Sequence, residues 1–179
     1  MLELENPVIA AVRKDSDFID AVNSPVSAIF LLKADVMTLE NLLASKGDKK
    51  VFVHIDMAEG IGKDKKGVEL LKHFGVDGII TTKNHLVTFA KGMGLYTVQR
   101  FFIIDSASIS TAIDSINTAK PDYAEVMPGV SKKVVEKVVA LTNVPIIAGG
   151  LIEDKHDIMT AINAGASAVS TTKQELWNM

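Results

Sequence analysis

The chain has 179 residues, 47% of them hydrophobic and 23% charged, with a net charge of -3 and no cysteine. That length suits one packed domain, and the lack of cysteine excludes disulfides, thiolate metal sites and thiol nucleophiles. The N-terminal MLELENP has no apolar signal core, no run is long enough to span a bilayer, and a negative net charge argues against indiscriminate attraction to nucleic acid, so a cytoplasmic protein without membrane attachment is expected.

Residues 8–12 read as a short apolar strand ending at Arg13, with Asp15 or Ser16 placed to cap a helix through Phe18, Ile19 and Val22. A second strand at 27–32 precedes a helix carrying Val36, Leu39, Leu42 and Leu43 that stops near Gly47. The third strand, 51–56, leads into the longest turn, AEGIGKDKKG, and a helix holding Val68, Leu71 and Phe74 up to Gly75. Strand four spans 78–82, and Asn84 is placed to cap its helix through Leu86, Phe89 and Ala90 to Gly92. Strand five lies within 95–104, followed by a helix at 108–119 with Ile109, Ala112, Ile113 and Ile116 on one face, ended by Pro121. Strand six covers 123–127, Pro128-Gly129 turns, and a helix at 134–141 begins near Ser131.

The stretch 144–177 organises the rest. An apolar strand at 144–148 stops at Gly149-Gly150, a helix runs over 153–164 to Gly165, and a last strand at 166–170 meets Thr171-Thr172. Thr172 and Glu175 have capping-box spacing before Leu176 and Trp177, which predicts a short extra helix plugged by the indole. Eight strands thus alternate with helices about every 22 residues. This predicts an α/β fold, a compact TIM-type (β/α)8 barrel forming one domain over 1–179, with a doubly wound open sheet as the alternative. The barrel is favoured because its glycine-rich turns come late, where barrels build a phosphate site from the turns after strands seven and eight and a short helix. Gly149, Gly150, Thr171 and Thr172 are the phosphate candidates, against the plainer reading that the glycines only make a tight turn.

Arg13, Arg100 and Glu125 fall at strand ends, where barrel active sites lie. They are the chain's two arginines and a carboxylate: the arginines suit a grip on phosphate, or either one pairs with Glu125. His54 and Asp56 share one strand face by period-two alternation, as a satisfied core histidine, as a metal pair, or, ranked above the metal, as hydrogen-bonding groups for a polyol. Thr81, Thr82, Gln99 and Asp105 complete a polar ring. Lys63, Lys65 and Lys66 sit in a loop that is either a lid or a solvated surface, and Lys132 and Lys133 belong to the same end of the barrel. Together these lysines are the candidate RNA-facing rim, although base-stacking aromatics are not interleaved with them.

Read together, PVIAAVR, HIDMAEGIG, DGIITT, QRFFIIDS, PDYAEVMPGV, IIAGGLI and AGASAVSTT followed by ELW resemble the glycerol-3-phosphate-responsive antiterminator family, in the same order over nearly the whole chain. The resemblance implies a TIM-barrel-like cytoplasmic regulator of transcription antitermination that senses glycerol-3-phosphate and acts on leader mRNA of glycerol-utilisation operons. No cofactor and no metal are expected, and a homo-oligomer is compatible with the sequence. The residues themselves keep an enzyme open: His54, Asp56 and Glu125 at a barrel mouth suit acid-base chemistry on a phosphorylated polyol, as in an isomerase, aldolase or phosphodiesterase. Lys33 is the one lysine near a strand end, and neither a Schiff-base lysine nor a metal-ligand set is evident.

Overall fold

A computed structural model describes residues 6–179. Its strands β1 (Val8–Val12), β2 (Ala28–Leu31), β3 (Lys50–His54), β4 (Gly78–Thr81), β5 (Tyr96–Phe102), β6 (Tyr123–Met127), β7 (Ile146–Gly149) and β8 (Ala168–Thr171) close into a parallel barrel in sequential order. Helices α1 (Phe18–Asn23), α2 (Leu39–Ala44), α3 (Lys65–Phe74), α4 (Asn84–Gly92), α5 (Ser106–Ala119), α6 (Lys132–Leu141) and α7 (Lys155–Asn163) alternate with them. The expected TIM-type (β/α)8 barrel is therefore the observed fold. It is achieved in a short chain because the shell is thin: α1 and α2 have six residues each.

Alternation along the strands builds two apolar layers. Ile9, Phe30, Phe52, Ile80, Val98, Tyr123, Ile147 and Ala168 fill the barrel, with Phe30 edge-on to Phe52 at 5.4 Å between ring centroids. The intervening Val12, Ile29, Val51, Val53 and Ile79 point outward to meet Leu39, Val68, Leu71 and Leu86 from the helices. The inner phase continues to the strand ends and decides which polar side chains enter the mouth.

Several local expectations are corrected. The third strand ends at His54, and Ile55–Met57 form a single 3-10 turn, so Asp56 does not share a strand face with His54. Asp56 is drawn aside by the hydroxyls of Thr81 and Thr82 and the Thr82 backbone N–H, which donate to it at 2.8, 2.9 and 2.7 Å. Asn84 is the first residue of α4 rather than its cap, because its side-chain oxygen accepts from Gln99 and Ser115. Gln99 accordingly points into the helix layer and not the mouth, and Asp105 is spent capping α5, accepting from the Ser108 N–H at 2.7 Å. The final helix is a 3-10 turn over Gln174–Leu176 with no side-chain cap; Thr171, not Thr172, accepts the Lys173 N–H at 3.1 Å.

The turn over 58–67 is latched rather than lid-like. The Glu59 N–H donates to Ala34 O at 2.7 Å, Val36 N–H donates back to Glu59 O at 3.0 Å, and Ile61 is buried. Asp64 caps α3 through the Gly67 N–H, and a Cβ at Gly67 would lie 1.6 Å from the Gly62 carbonyl oxygen. Only glycine permits that approach.

Candidate ligand-binding mouth of the barrel

Arg100 on β5 and Glu125 on β6 are direct register partners, both on the inner phase. Their side chains meet: Arg100 Nε donates to Glu125 Oε2 at 2.5 Å, with the side chains 7% and 0% exposed. The other carboxylate oxygen accepts from Ser170 Oγ at 2.6 Å. Ser170 stands on β8, two strands from Glu125, and the strand between them supplies the room. A Cβ at Gly149 would lie 2.5 Å from Glu125 Oε1 and 2.7 Å from Ser170 Oγ, so the missing side chain on β7 is what lets β6 and β8 be joined across it.

Above this tie lies a cavity of about 120 Å³ walled by Arg13, Arg100, Glu125, Gly150, Thr171 and Thr172, together with Ala11, Leu32, Met127, Leu151, Ile152 and Ser170. Six positions singled out in the sequence thus converge on one space. Thr171 is out of phase: its hydroxyl donates to Ile152 O at 2.8 Å, and its carbonyl accepts the Trp177 Nε1–H at 2.9 Å. It shapes the wall through these bonds. Gly150 and Leu151 take φ of 76° and 61° in succession, and Leu151 is 66% exposed. A left-handed leucine costs about 1 to 2 kcal/mol, and such strain concentrates where backbone must be presented to a ligand.

His54 lies beside this cavity and lines a second recess with Arg13, Leu32, Lys33, Met57, Arg100 and Phe102. Burial and then the Arg100 guanidinium lower its pKa from 6.5 to about 4, so the ring is neutral at physiological pH. Arg100 Nη1 is 3.5 Å from His54 Nδ1, and Asp56 Oδ2 is 3.8 Å from Nε2, both long for hydrogen bonds. His54 Nε2 is a buried nitrogen with no hydrogen-bond partner. Burial alone pushes the Asp56 carboxyl up, but the Thr82 N–H and the two threonine hydroxyls outweigh it and hold the pKa below the usual value. Asp56 lines neither space and braces the turn after β4.

The five candidate lysines divide into two groups. Lys63, Lys65 and Lys66 belong to the loop before α3 and its first turn; Lys132 and Lys133 open α6. Helix α3 packs beside α2 and α4, and α6 beside α5 and α7, so the groups stand on different sides of the rim. Lys66 pairs with Glu69 at 2.6 Å, Lys132 with Glu136 at 3.6 Å, and Lys65 Nζ sits 5.4 Å from the Phe89 ring centroid. Among the described residues, no group of three or more histidine or acidic side chains is placed to hold a metal ion, and no helix is long and apolar enough to cross a membrane.

The residue missed in the sequence is Ser170, hidden beside the more conspicuous Thr171-Thr172 pair. The inner phase of β8, Ala168 then Ser170, carries the signal.

Residues 8–177 match the family model described as glycerol-3-phosphate responsive antiterminator. The protein named Uncharacterized protein YgcP of Escherichia coli (strain K12) is 34% identical over 178 residues, covering 98% of this chain and 93% of its own. The crystal structure of a glycerol uptake operon antiterminator regulatory protein from Listeria monocytogenes str. 4b F2365 superposes with a TM-score of 0.91 at 31% identity, covering 97% of this chain and 95% of that one. A glycerol uptake operon antiterminator-related protein from Thermotoga maritima MSB8 gives 0.86 at 33% identity, covering 97% and 99%. A match along nearly the whole chain, on the same closed barrel, makes this protein a member of the glycerol-3-phosphate responsive antiterminator family.

Proposed function

We propose that the protein senses glycerol-3-phosphate at the barrel mouth and acts in the cytoplasm as a transcription antiterminator on leader mRNA of glycerol-utilisation operons. The observation that carries the reading is the convergence of both arginines of the chain on one small polar cavity, beside the strained Gly150-Leu151 turn. The phosphate goes to Arg13, Arg100, Thr172 and the glycine turn, where charge-assisted hydrogen bonds are strongest. The glycerol end goes toward Glu125 and His54. Asp56 serves this end indirectly, by fixing the turn behind His54.

Two features favour binding over turnover by an isomerase, aldolase or phosphodiesterase. A histidine with a pKa of about 4 is a weak proton acceptor near neutral pH. Both Glu125 oxygens already accept hydrogen bonds from Arg100 and Ser170. RNA contact is assigned to Lys63, Lys65 and Lys66 with Lys132 and Lys133, in two clusters flanking the mouth.

Calorimetric titration with glycerol-3-phosphate, glycerol and inorganic phosphate tests the ligand. Glycerol-3-phosphate binds far more tightly than glycerol on this reading, and equal affinities sink it. Replacing Lys63, Lys65 and Lys66 together by alanine weakens leader-RNA binding in a gel shift and flattens its salt dependence, with ligand affinity kept within a few-fold. Unchanged RNA affinity moves the RNA surface elsewhere.

A further inference from the structure

The recess over His54 is larger than the anion cavity, about 360 Å³ against about 120 Å³, and the two share Arg13, Leu32 and Arg100. A glyceryl phosphate seated on the arginines and reaching His54 leaves Lys33, Met57 and Phe102 of its walls uncovered. Beside the neutral His54 ring, those walls are of two kinds. Leu32, Met57 and Phe102 are apolar, and Met57 and Phe102 are left 55% and 58% exposed. Arg13, Lys33 and Arg100 are cationic, and among the described residues no carboxylate lines the space. Two of these cations already hold an acid: Lys33 pairs with Glu59 at 2.8 Å on the exposed side, and Arg100 with buried Glu125, while Asp56 lies 3.8 Å from His54 Nε2.

Single exposed hydrophobic side chains are ordinary on a protein surface. An exposed phenylalanine and methionine sharing one recess with three cations is a different composition. It fits an occupant with a flat apolar body and an attached anion. A polyol phosphate has the anion without the body; a nucleotide has both. Unpaired bases stack on aromatic side chains whatever their sequence, while lysine and arginine take the adjoining phosphate.

We propose that this recess seats one unpaired nucleotide of the RNA partner, its base against Phe102 and Met57 and its phosphate on Lys33 and Arg13. The proposal rests on the reading that the protein acts on leader RNA, and it deepens that reading by placing RNA and effector side by side in one mouth. Because the two spaces share Arg13 and Arg100, occupancy of one changes the affinity of the other, by the same factor in both directions.

Two methionines separate the spaces experimentally, since Met57 lines the recess and Met127 the anion cavity. With methionine methyl groups labelled in the full chain, glycerol-3-phosphate shifts the Met127 resonance. Adenosine 5'-monophosphate added afterwards shifts Met57, and ribose 5-phosphate leaves Met57 in place. Leader RNA shifts Met57 too, and Phe102→Ser weakens leader-RNA binding at least tenfold while the Met127 response to glycerol-3-phosphate is retained. Phe102 is exposed, so this variant keeps the fold, and Lys33→Ala gives an independent second variant that weakens the same binding. The proposal is overturned if adenosine 5'-monophosphate moves only Met127, if both variants bind leader RNA as the wild type does, or if Met57 shifts with protein concentration alone, which assigns the recess to contact between copies of this chain. Leader RNA that fails to bind the wild-type protein sinks the antitermination reading instead; a Met57 shift with adenosine 5'-monophosphate then shows that the recess itself still takes a nucleotide.

Discussion

Glu125→Gln isolates the charge at the centre of the mouth. The variant keeps its size, and the new amide oxygen still accepts from Ser170, now at 2.6 Å from Oε1. The amide nitrogen then faces Arg100 Nε, donor against donor, where Oε2 had accepted at 2.5 Å. Arg100, 7% exposed, is left without its counter-charge. Breaking a buried pair from one side costs about 3 to 5 kcal/mol. The lower end applies, because Arg100 borders a cavity of about 120 Å³ that admits water, so a loss of about 3 kcal/mol is expected. Urea unfolding near neutral pH measures it, beside Ser170→Ala, which keeps the ion pair and loses one hydrogen bond to the carboxylate, about 1.5 to 3 kcal/mol. The same variant should gain more from glycerol-3-phosphate than the wild type does, since the guanidinium released from Glu125 offers all its donors to the phosphate. At a hundredfold excess over Kd, bound ligand returns about 2.7 kcal/mol. Wild-type stability in the variant, or an anion effect no larger than in the wild type, refutes the reasoning.

Gly149→Ala drives a methyl group between Glu125 and Ser170, so it should cost about 1 to 3 kcal/mol and weaken glycerol-3-phosphate binding in calorimetry; unchanged affinity would detach the tie from the site. Gly67→Ala places its methyl group against the Gly62 carbonyl and should cost about 3 kcal/mol while unlatching the lysine loop, detected as faster amide exchange over 58–67. Burial and the Arg100 guanidinium hold the folded-state pKa of His54 at about 4, against its ordinary 6.5. Between these the unfolded chain binds the extra proton, so stability rises with pH across that window and is lost as pH falls from about 6.5 toward 4, by about 3 kcal/mol in all. His54→Gln should flatten that part of a plot of unfolding free energy against pH; an unchanged slope assigns it to other groups.

The alternation of short apolar runs with helical patterns was enough to read the barrel, because the strands are buried along nearly their whole length and glycine, proline or aspartate stands near at least one end of each. Arg100 and Glu125 were legible for the same reason, standing in phase with Val98 and Tyr123 on adjacent strands. What escaped depended on partners distant in sequence. Asn84 looks like a helix cap until Gln99 and Ser115 claim its oxygen. Thr81 and Gln99 looked like mouth residues, although the phase of Ile80 and Val98 already turns them outward. Gly149 looked like half of a phosphate turn, whereas its missing Cβ also serves two side chains on the neighbouring strands. Among the lysines, the Lys66–Glu69 pair follows from their spacing of three, but nothing local shows Lys65 resting near the Phe89 ring.

The bond from Trp177 to the Thr171 carbonyl gives the mouth an optical reporter. This is the single tryptophan of the chain, 1% exposed, and its indole N–H ends on the carbonyl immediately before Thr172 in the cavity wall. Indole emission responds to the electric field along its long axis, and an anion arriving on the far side of that peptide changes the field without touching the ring. The native protein can therefore be titrated by its own fluorescence, with no label and no substitution near the ligand.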